Sequence, residues 1–211
     1  MKVSVSFLKS EFDTKTTIKK IDSSSADYLH VDLMDGDFVA AKNYTAGEIT
    51  KLLSNVTKSL DVHLMVSNPL KYLEIFASLN TEYLTFHYEA VTKPLDVIDK
   101  IKELGLKVGI SIKPKTKVSE IIEFLPLLDQ VLVMSVEPGL GGQEFMESAI
   151  EKIEELKTLR ETNNYSYIIS VDGGINAETA DLVKDAGADM VASGYYICSS
   201  DNFDNQIDNL R

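Results

Sequence analysis

Short apolar, β-branched runs alternate with longer stretches whose apolar residues recur every three or four positions, and this alternation repeats along the whole chain. The runs predict strands at Val3–Phe7, Tyr28–Leu33, Leu60–Met65, Tyr83–His87, Lys107–Ile112, Gln130–Val136, Tyr167–Val171 and Met190–Ser193. The amphipathic stretches predict helices starting near Phe12, Thr45, Pro69, Pro94, Val118, Met146, Ala177 and Asn202. Start and stop signals agree with them. Asn68 before Pro69 and Asn176 before Ala177 read as N-caps, and Gly105 and Gly187 stand where the fourth and seventh helices should end.

Eight strand-then-helix units in 211 residues leave roughly 26 residues per unit, near the lower size limit of a (β/α)8 barrel. An open doubly wound sheet competes, but it usually has fewer strands and a glycine-rich turn after the first, whereas Ser4 to Glu11 contains no glycine. The expected fold is a single TIM barrel of parallel strands. It forms one domain over residues 1–211, because no long linker or low-complexity segment divides the chain; Ser23-Ser24-Ser25 is a short loop.

Composition narrows the partners. A formal net charge of -12 argues against nucleic acid or an anionic membrane surface, which are met by an excess of Lys and Arg. Any anionic ligand must therefore be met locally. The single cysteine, Cys198, allows no internal disulfide, residues 1–20 lack the apolar centre of a signal peptide, and no apolar run reaches the roughly 18 residues of a membrane span. A soluble, cytoplasmic protein is expected.

Barrel enzymes place their chemistry at the C-terminal ends of the strands, so the residues there form one test set. In the second strand His30, Asp32 and Met34 share one face while Val31 and Leu33 share the other. The third strand ends with His63 and Met65, the sixth with Met134, and Asp172 closes the seventh. Singly, each histidine or aspartate is commonly a satisfied core or loop residue. Jointly, four such groups in one barrel mouth would leave buried charge uncompensated without a ligand. Two imidazoles and two carboxylates suit one divalent ion, Zn, Fe, Mn or Co, better than Mg or Ca, which prefer oxygen alone.

The loops after strands six to eight are rich in glycine: Gly139, Gly141, Gly142 and Gln143, then Gly173-Gly174, then Ser193-Gly194. Glycine lets backbone approach a ligand closely, and free N–H groups hold a phosphate without basic side chains. This would let an acidic chain bind an anion at the barrel's usual phosphate corner.

The segments His30-Val-Asp-Leu-Met-Asp-Gly, Asp61-Val-His-Leu-Met, His87-Tyr-Glu-Ala, Val131-Leu-Val-Met-Ser-Val-Glu-Pro-Gly-Leu-Gly-Gly-Gln and Val171-Asp-Gly-Gly-Ile occur in that order. With them, the chain resembles the ribulose-phosphate 3-epimerases from Ser6 to Gly194. The resemblance implies interconversion of D-ribulose 5-phosphate and D-xylulose 5-phosphate, a small-molecule phosphoketose being the partner. It implies that His30, Asp32, His63 and Asp172 bind the metal and that Asp32 and Asp172 are the acid/base pair. It also implies that Ser6 contacts substrate, that Met34, Met65 and Met134 line the site, and that Gly142, Gly174 and the loop after strand eight hold phosphate. His63, Gly139, Gly141, Gln143, Gly173, Ser193 and Gly194 complete the expected substrate-binding set.

The chain departs from that family at three places. Ala40-Ala41-Lys42-Asn43 stands where Pro-Asn is usual, Lys113-Pro114 where Asn-Pro is frequent, and Ala192-Ser193-Gly194-Tyr195 where Gly-Ser is usual. The alternatives are an epimerase of a six-carbon ketose such as D-allulose 6-phosphate, a hexulose-phosphate lyase or aldolase of the same barrel group, and a binding barrel without activity. His87 and Glu89 read equally as a structural pair or as support for the site. Asp35 reads as a turn residue, and barrels of this kind often assemble through their outer helices, so a homo-oligomer is possible.

Overall fold

The computed structural model describes residues 1–211. Its centre is a closed parallel barrel in chain order: β1 (Lys2–Ser6), β2 (Tyr28–Met34), β3 (Leu60–Met65), β4 (Thr81–His87), β5 (Lys107–Ile112), β6 (Gln130–Met134), β7 (Ile168–Asp172) and β8 (Met190–Ser193). β8 pairs back onto β1, with Val5 opposite Ser193, so the sheet has no edge. All eight expected strands are present, three with the expected bounds and five with ends shifted by one or two residues.

The outer helices are α1 (Thr14–Asp22), α2 (Ala46–Leu53), α3 (Leu73–Ala77), α4 (Pro94–Glu103), α5 (Ser148–Asn163), α6 (Ala177–Ala186), α7 (Tyr195–Cys198) and α8 (Phe203–Asp208). Asn176 caps α6 by accepting from the Thr179 N–H, as expected. Asn68 does not cap: its side chain makes no cap bond, and Pro69 opens a 3₁₀ turn before α3. The helix expected from Val118 is replaced by 3₁₀ turns at Val118–Glu120 and Ile122–Leu127. Pro126 lies inside the second, where it lacks the N–H an α-helical ladder needs. The four-residue α7 is too short to leave a periodic signal. No helix is long and apolar enough to cross a membrane.

The strands divide the molecule into two environments. Outward residues such as Leu29, Val31, Leu33, Val62, Leu64, Val131 and Val133 pack beneath the helices in one continuous apolar shell. Burying each such side chain contributes about 1.5–3 kcal/mol, so this shell is the main source of stability. Inward residues are largely polar. Ser4 Oγ donates to Asp61 Oδ2 at 2.8 Å, and Gln130 Nε2 bridges Asp61 Oδ1 and Thr85 Oγ1 at 3.3 Å each. Tyr28, Tyr83 and Met190 close the floor below them.

Gly109 on β5 leaves room for this network, since a Cβ there would lie 2.1 Å from Thr85 Oγ1. Thr85 also accepts the Gln130 bond, so its hydroxyl cannot swing aside freely. Gly109→Ala is therefore expected to destabilise the fold by about 1–3 kcal/mol, and a second change, Thr85→Ala, to recover part of that loss. Urea denaturation of the single and double variants checks this; strictly additive losses would contradict it.

Candidate active site

Strand periodicity places His30 and Asp32 side by side on the inner face of β2, and barrel register places His63 of β3 opposite Asp32. Asp172, the last residue of β7, reaches the same point from across the barrel. One potential ligand atom from each of the four lies within 4.8 Å of all the others. His30 Nε2 is 3.4 Å from Asp32 Oδ1 and 3.9 Å from Asp172 Oδ2; His63 Nδ1 is 3.2 Å and 3.6 Å from the same two oxygens.

These separations fit a metal. Ligand bonds of about 2.0–2.1 Å in a tetrahedron put neighbouring donors roughly 3.3 Å apart. His30 Nε2 is fully buried and has no hydrogen-bond partner, the condition of a nitrogen reserved for a cation.

Partners behind the ring planes set which nitrogen faces inward. His30 Nδ1 lies 2.8 Å from Asp61 Oδ2, and because the carboxylate can only accept, the proton sits on Nδ1 and the Nε2 lone pair points at the site. His63 is oriented by a longer relay. Its Nε2 meets His87 Nε2 at 2.9 Å, His87 Nδ1 meets Glu89 Oε2 at 3.1 Å, and Glu89 Oε1 accepts from the Lys113 N–H and the Thr116 hydroxyl. The Glu89 carboxylate accepts a hydrogen bond from His87 Nδ1–H, so His87 Nε2 accepts from His63 and leaves the His63 Nδ1 lone pair facing Asp32 and Asp172.

Charge follows the same logic. Burial drives His87 down to about 4, which keeps it neutral. Burial would raise Glu89, but bonds from His87, Thr116 and the Lys113 N–H outweigh it and hold its carboxyl at about 2. Burial would also raise Asp32, yet His30 and His63 hold it well below the usual carboxylate range. Desolvation lowers His30, but Asp32 and Asp61 together raise it well above its usual value. A divalent cation would meet that same negative field.

Above this cluster opens a cavity of about 330 Å³. Ser6, Asp32, Asp172, Met65 and Met134 form its deep wall, with His30 and His63 wholly buried beneath. Met34 is set back, packed against Val39 and Met65. Gly139, Gly141, Gly142 and Gln143 after β6, Gly173 and Gly174 after β7, and Ser193 and Gly194 after β8 form the upper wall. Two of these side chains are engaged within the protein. Gln143 Nε2 donates to the carbonyls of Glu137 and Leu140 and so shapes its own loop, and Ser193 Oγ donates to the Ile175 carbonyl. Gly174 has φ +64, and a Cβ there would fall 2.5 Å from the Phe145 nitrogen, so only glycine lets these two loops meet.

Sequence reasoning missed Asp61, although it lies two residues before His63 on the same inward face. It also missed Lys9, which lines the cavity from the loop after β1. Asp35 shapes the turn as expected: Oδ1 accepts from the Asp37 and Phe38 N–H groups, and Oδ2 accepts from Ser67. In the divergent loop, Asn43 pins the end of β2 by donating to the Asp32 carbonyl and accepting from the Met34 N–H.

A profile described as "Ribulose-phosphate 3 epimerase family" matches residues 2–198. A ribulose-phosphate 3-epimerase of Helicobacter pylori (strain J99) is 41% identical over 205 residues, covering 95% of this chain and 92% of that protein. The enzyme of that name from Bacillus subtilis is 38% identical over 215 residues, covering 100% and 98%. Among solved structures, KGPDC from Streptococcus mutans superposes with a TM-score of 0.71 at 12% identity, covering 99% of this chain and 94% of that one. A tryptophan synthase α-subunit from Pyrococcus furiosus gives 0.72 at 11%, covering 99% and 96%. At such identities the superpositions show the fold alone.

Asp61→Asn removes the obligatory acceptor behind His30 and is expected to weaken divalent-metal affinity by about 10–100-fold. Calorimetric metal titration of the folded variant checks this, and unchanged affinity would contradict it. Asp35 gives a pH signature. Partial burial would raise its carboxyl, but the N–H groups of Phe38, Ser67 and Asp37 hold it at about 2. An unfolded aspartate titrates near about 4, so this contribution is complete above that value and lost as pH falls through the folded one. Below about pH 4, wild-type stability in urea should fall more steeply than that of Asp35→Asn; parallel curves would contradict the tether.

Proposed function

The chain belongs to the ribulose-phosphate 3-epimerase family, and from that premise we propose that it inverts C3 of D-ribulose 5-phosphate to give D-xylulose 5-phosphate. The observation that carries this reading is the pair of carboxylates, Asp32 from β2 and Asp172 from β7, brought within 4.8 Å of each other at the base of the cavity. Inverting a carbon that bears an acidic proton requires taking that proton from one face and returning one to the other. Two carboxylates from separate strands do this without either having to swing around the substrate.

Asp32 is suited to the work by its surroundings. Ser6 Oγ donates to Oδ2 at 2.8 Å and fixes the plane of the carboxyl group, while the two histidines keep it ionised. In one direction one aspartate accepts the C3 proton and the other delivers a proton to the opposite face; in the reverse direction they exchange roles. His30, Asp32, His63 and Asp172 would hold one divalent ion, which supplies Lewis-acid stabilisation of the negative charge that develops on the substrate oxygens. The loops around Gly142, Gly174 and Gly194 would seat the phosphate at the rim, setting C3 over the aspartates.

Asp172→Asn is expected to keep the fold and to lower turnover on D-ribulose 5-phosphate by a factor of at least about a hundred. Near-native turnover would refute its proton-transfer role. Exhaustive chelation should abolish activity and a divalent ion should restore it, whereas fully demetallated protein that stays active would overturn the metal's part. Catalytic efficiency on five- and six-carbon ketose phosphates measured side by side should favour the pentulose; a strong preference for the hexulose would reassign the substrate.

A further inference from the structure

The chain carries 33 acidic residues against 21 Lys and Arg, yet its substrate reading demands a doubly charged anion. Lys9 is the one Lys or Arg among the residues lining the cavity. It lies on the loop between Ser6 and Asp13, the cap of α1, and its side chain crosses to the loop after β6. A Cβ on Gly141 would be 3.3 Å from Lys9 Cβ, and a Cβ on Gly142 would be 2.6 Å from Lys9 Nζ. The paired glycines thus form the slot in which the lysine stem lies, and they set its ammonium above the Gly142 backbone.

The ammonium forms no ion pair or hydrogen bond with the protein. Its neighbour is the face of Tyr195, the first residue of α7, with Nζ 4.7 Å from the ring centroid. At an exposed position such a contact is weak and easily exchanged for a better partner. Around it the backbone N–H groups of Gly142, Gly174 and Gly194 have no acceptor within the protein. Three free amides from three loops and one unpaired ammonium therefore line one cavity.

We propose that Lys9 is the phosphate-recognising cation of this chain, moving from the Tyr195 face onto the substrate phosphate and setting the preference for phosphorylated over unphosphorylated ketose. The proposal rests on the epimerase reading above for the identity of the substrate, and on Lys9's position for the anion. The amides of Gly142, Gly174 and Gly194 supply directional partial charges, which any phosphate-binding barrel corner offers. Lys9 adds a full charge that offsets the field of the surrounding carboxylates and makes contact strongest with the dianion.

The test uses Lys9→Met, which keeps the stem and removes the charge, and Lys9→Arg, which restores the charge, both in the metal-loaded protein. For Lys9→Met, KM for D-ribulose 5-phosphate should rise about tenfold or more with kcat within about threefold, and inorganic phosphate should bind weaker by a similar factor in calorimetry. Lys9→Arg should recover most of both, and kcat/KM on unphosphorylated D-ribulose should stay at the wild-type value. Equal losses on both sugars, or unchanged phosphate affinity in Lys9→Met, would overturn the proposal. If wild-type protein fails to epimerise D-ribulose 5-phosphate, the substrate reading falls, and the phosphate affinities of wild type and Lys9→Met still decide the role of Lys9.

Discussion

Two imidazoles and two carboxylates meet at one buried point, and the inner half of the barrel is built to make that meeting tolerable. Removing charge from water costs several kcal/mol per ion unless close partners offset it. Three of the four members have such a partner outside the cluster. Asp61 backs His30, Ser6 backs Asp32, and His87 with Glu89 backs His63. Glu89 is in turn tied to the Lys113 N–H and the Thr116 hydroxyl, so the support for His63 runs through β4 into the loop after β5. The cluster is therefore held in part by β1 and β4, which contribute none of its ligand atoms.

Such an arrangement needs a shell that stabilises the fold independently of the centre. The outward faces of the strands supply it, because alternation along each strand separates an apolar face under the helices from a polar face toward the axis. Closure then does what sequence proximity cannot. His30 and Asp172 come within bonding range of one ion although β2 and β7 lie on different sides of the sheet. The acidic composition leaves any anion to be met locally, and in the proposed reading that falls to the backbone amides of the rim and to Lys9, laid along two glycines.

The strands were legible in the sequence because their apolar runs are short, bounded and regularly spaced, and the four clustered groups were legible because they fall at strand ends. What escaped reading depended on contacts between distant segments. Pro126 turned an expected helix into 3₁₀ turns, since a missing N–H matters most where the helix has few other supports. Asp61 has its partner, His30, on a neighbouring strand, a contact that only barrel register creates. The Gln143 amide donates to the carbonyls of Glu137 and Leu140, contacts within its own loop that residue spacing does not reveal. Lys9 was an ordinary loop lysine until the loop after β6 closed on it.

The central claim is that Asp32 and Asp172 exchange the proton on C3 of a ketose phosphate. Proton NMR of D-ribulose 5-phosphate incubated with the metal-loaded protein in D2O addresses it most directly. D-xylulose 5-phosphate should form with deuterium at C3, and the C3 proton signal of the remaining substrate should fade as well. Conversion with the original C3 proton retained, or release of a carbonyl fragment in place of the epimer, would contradict it.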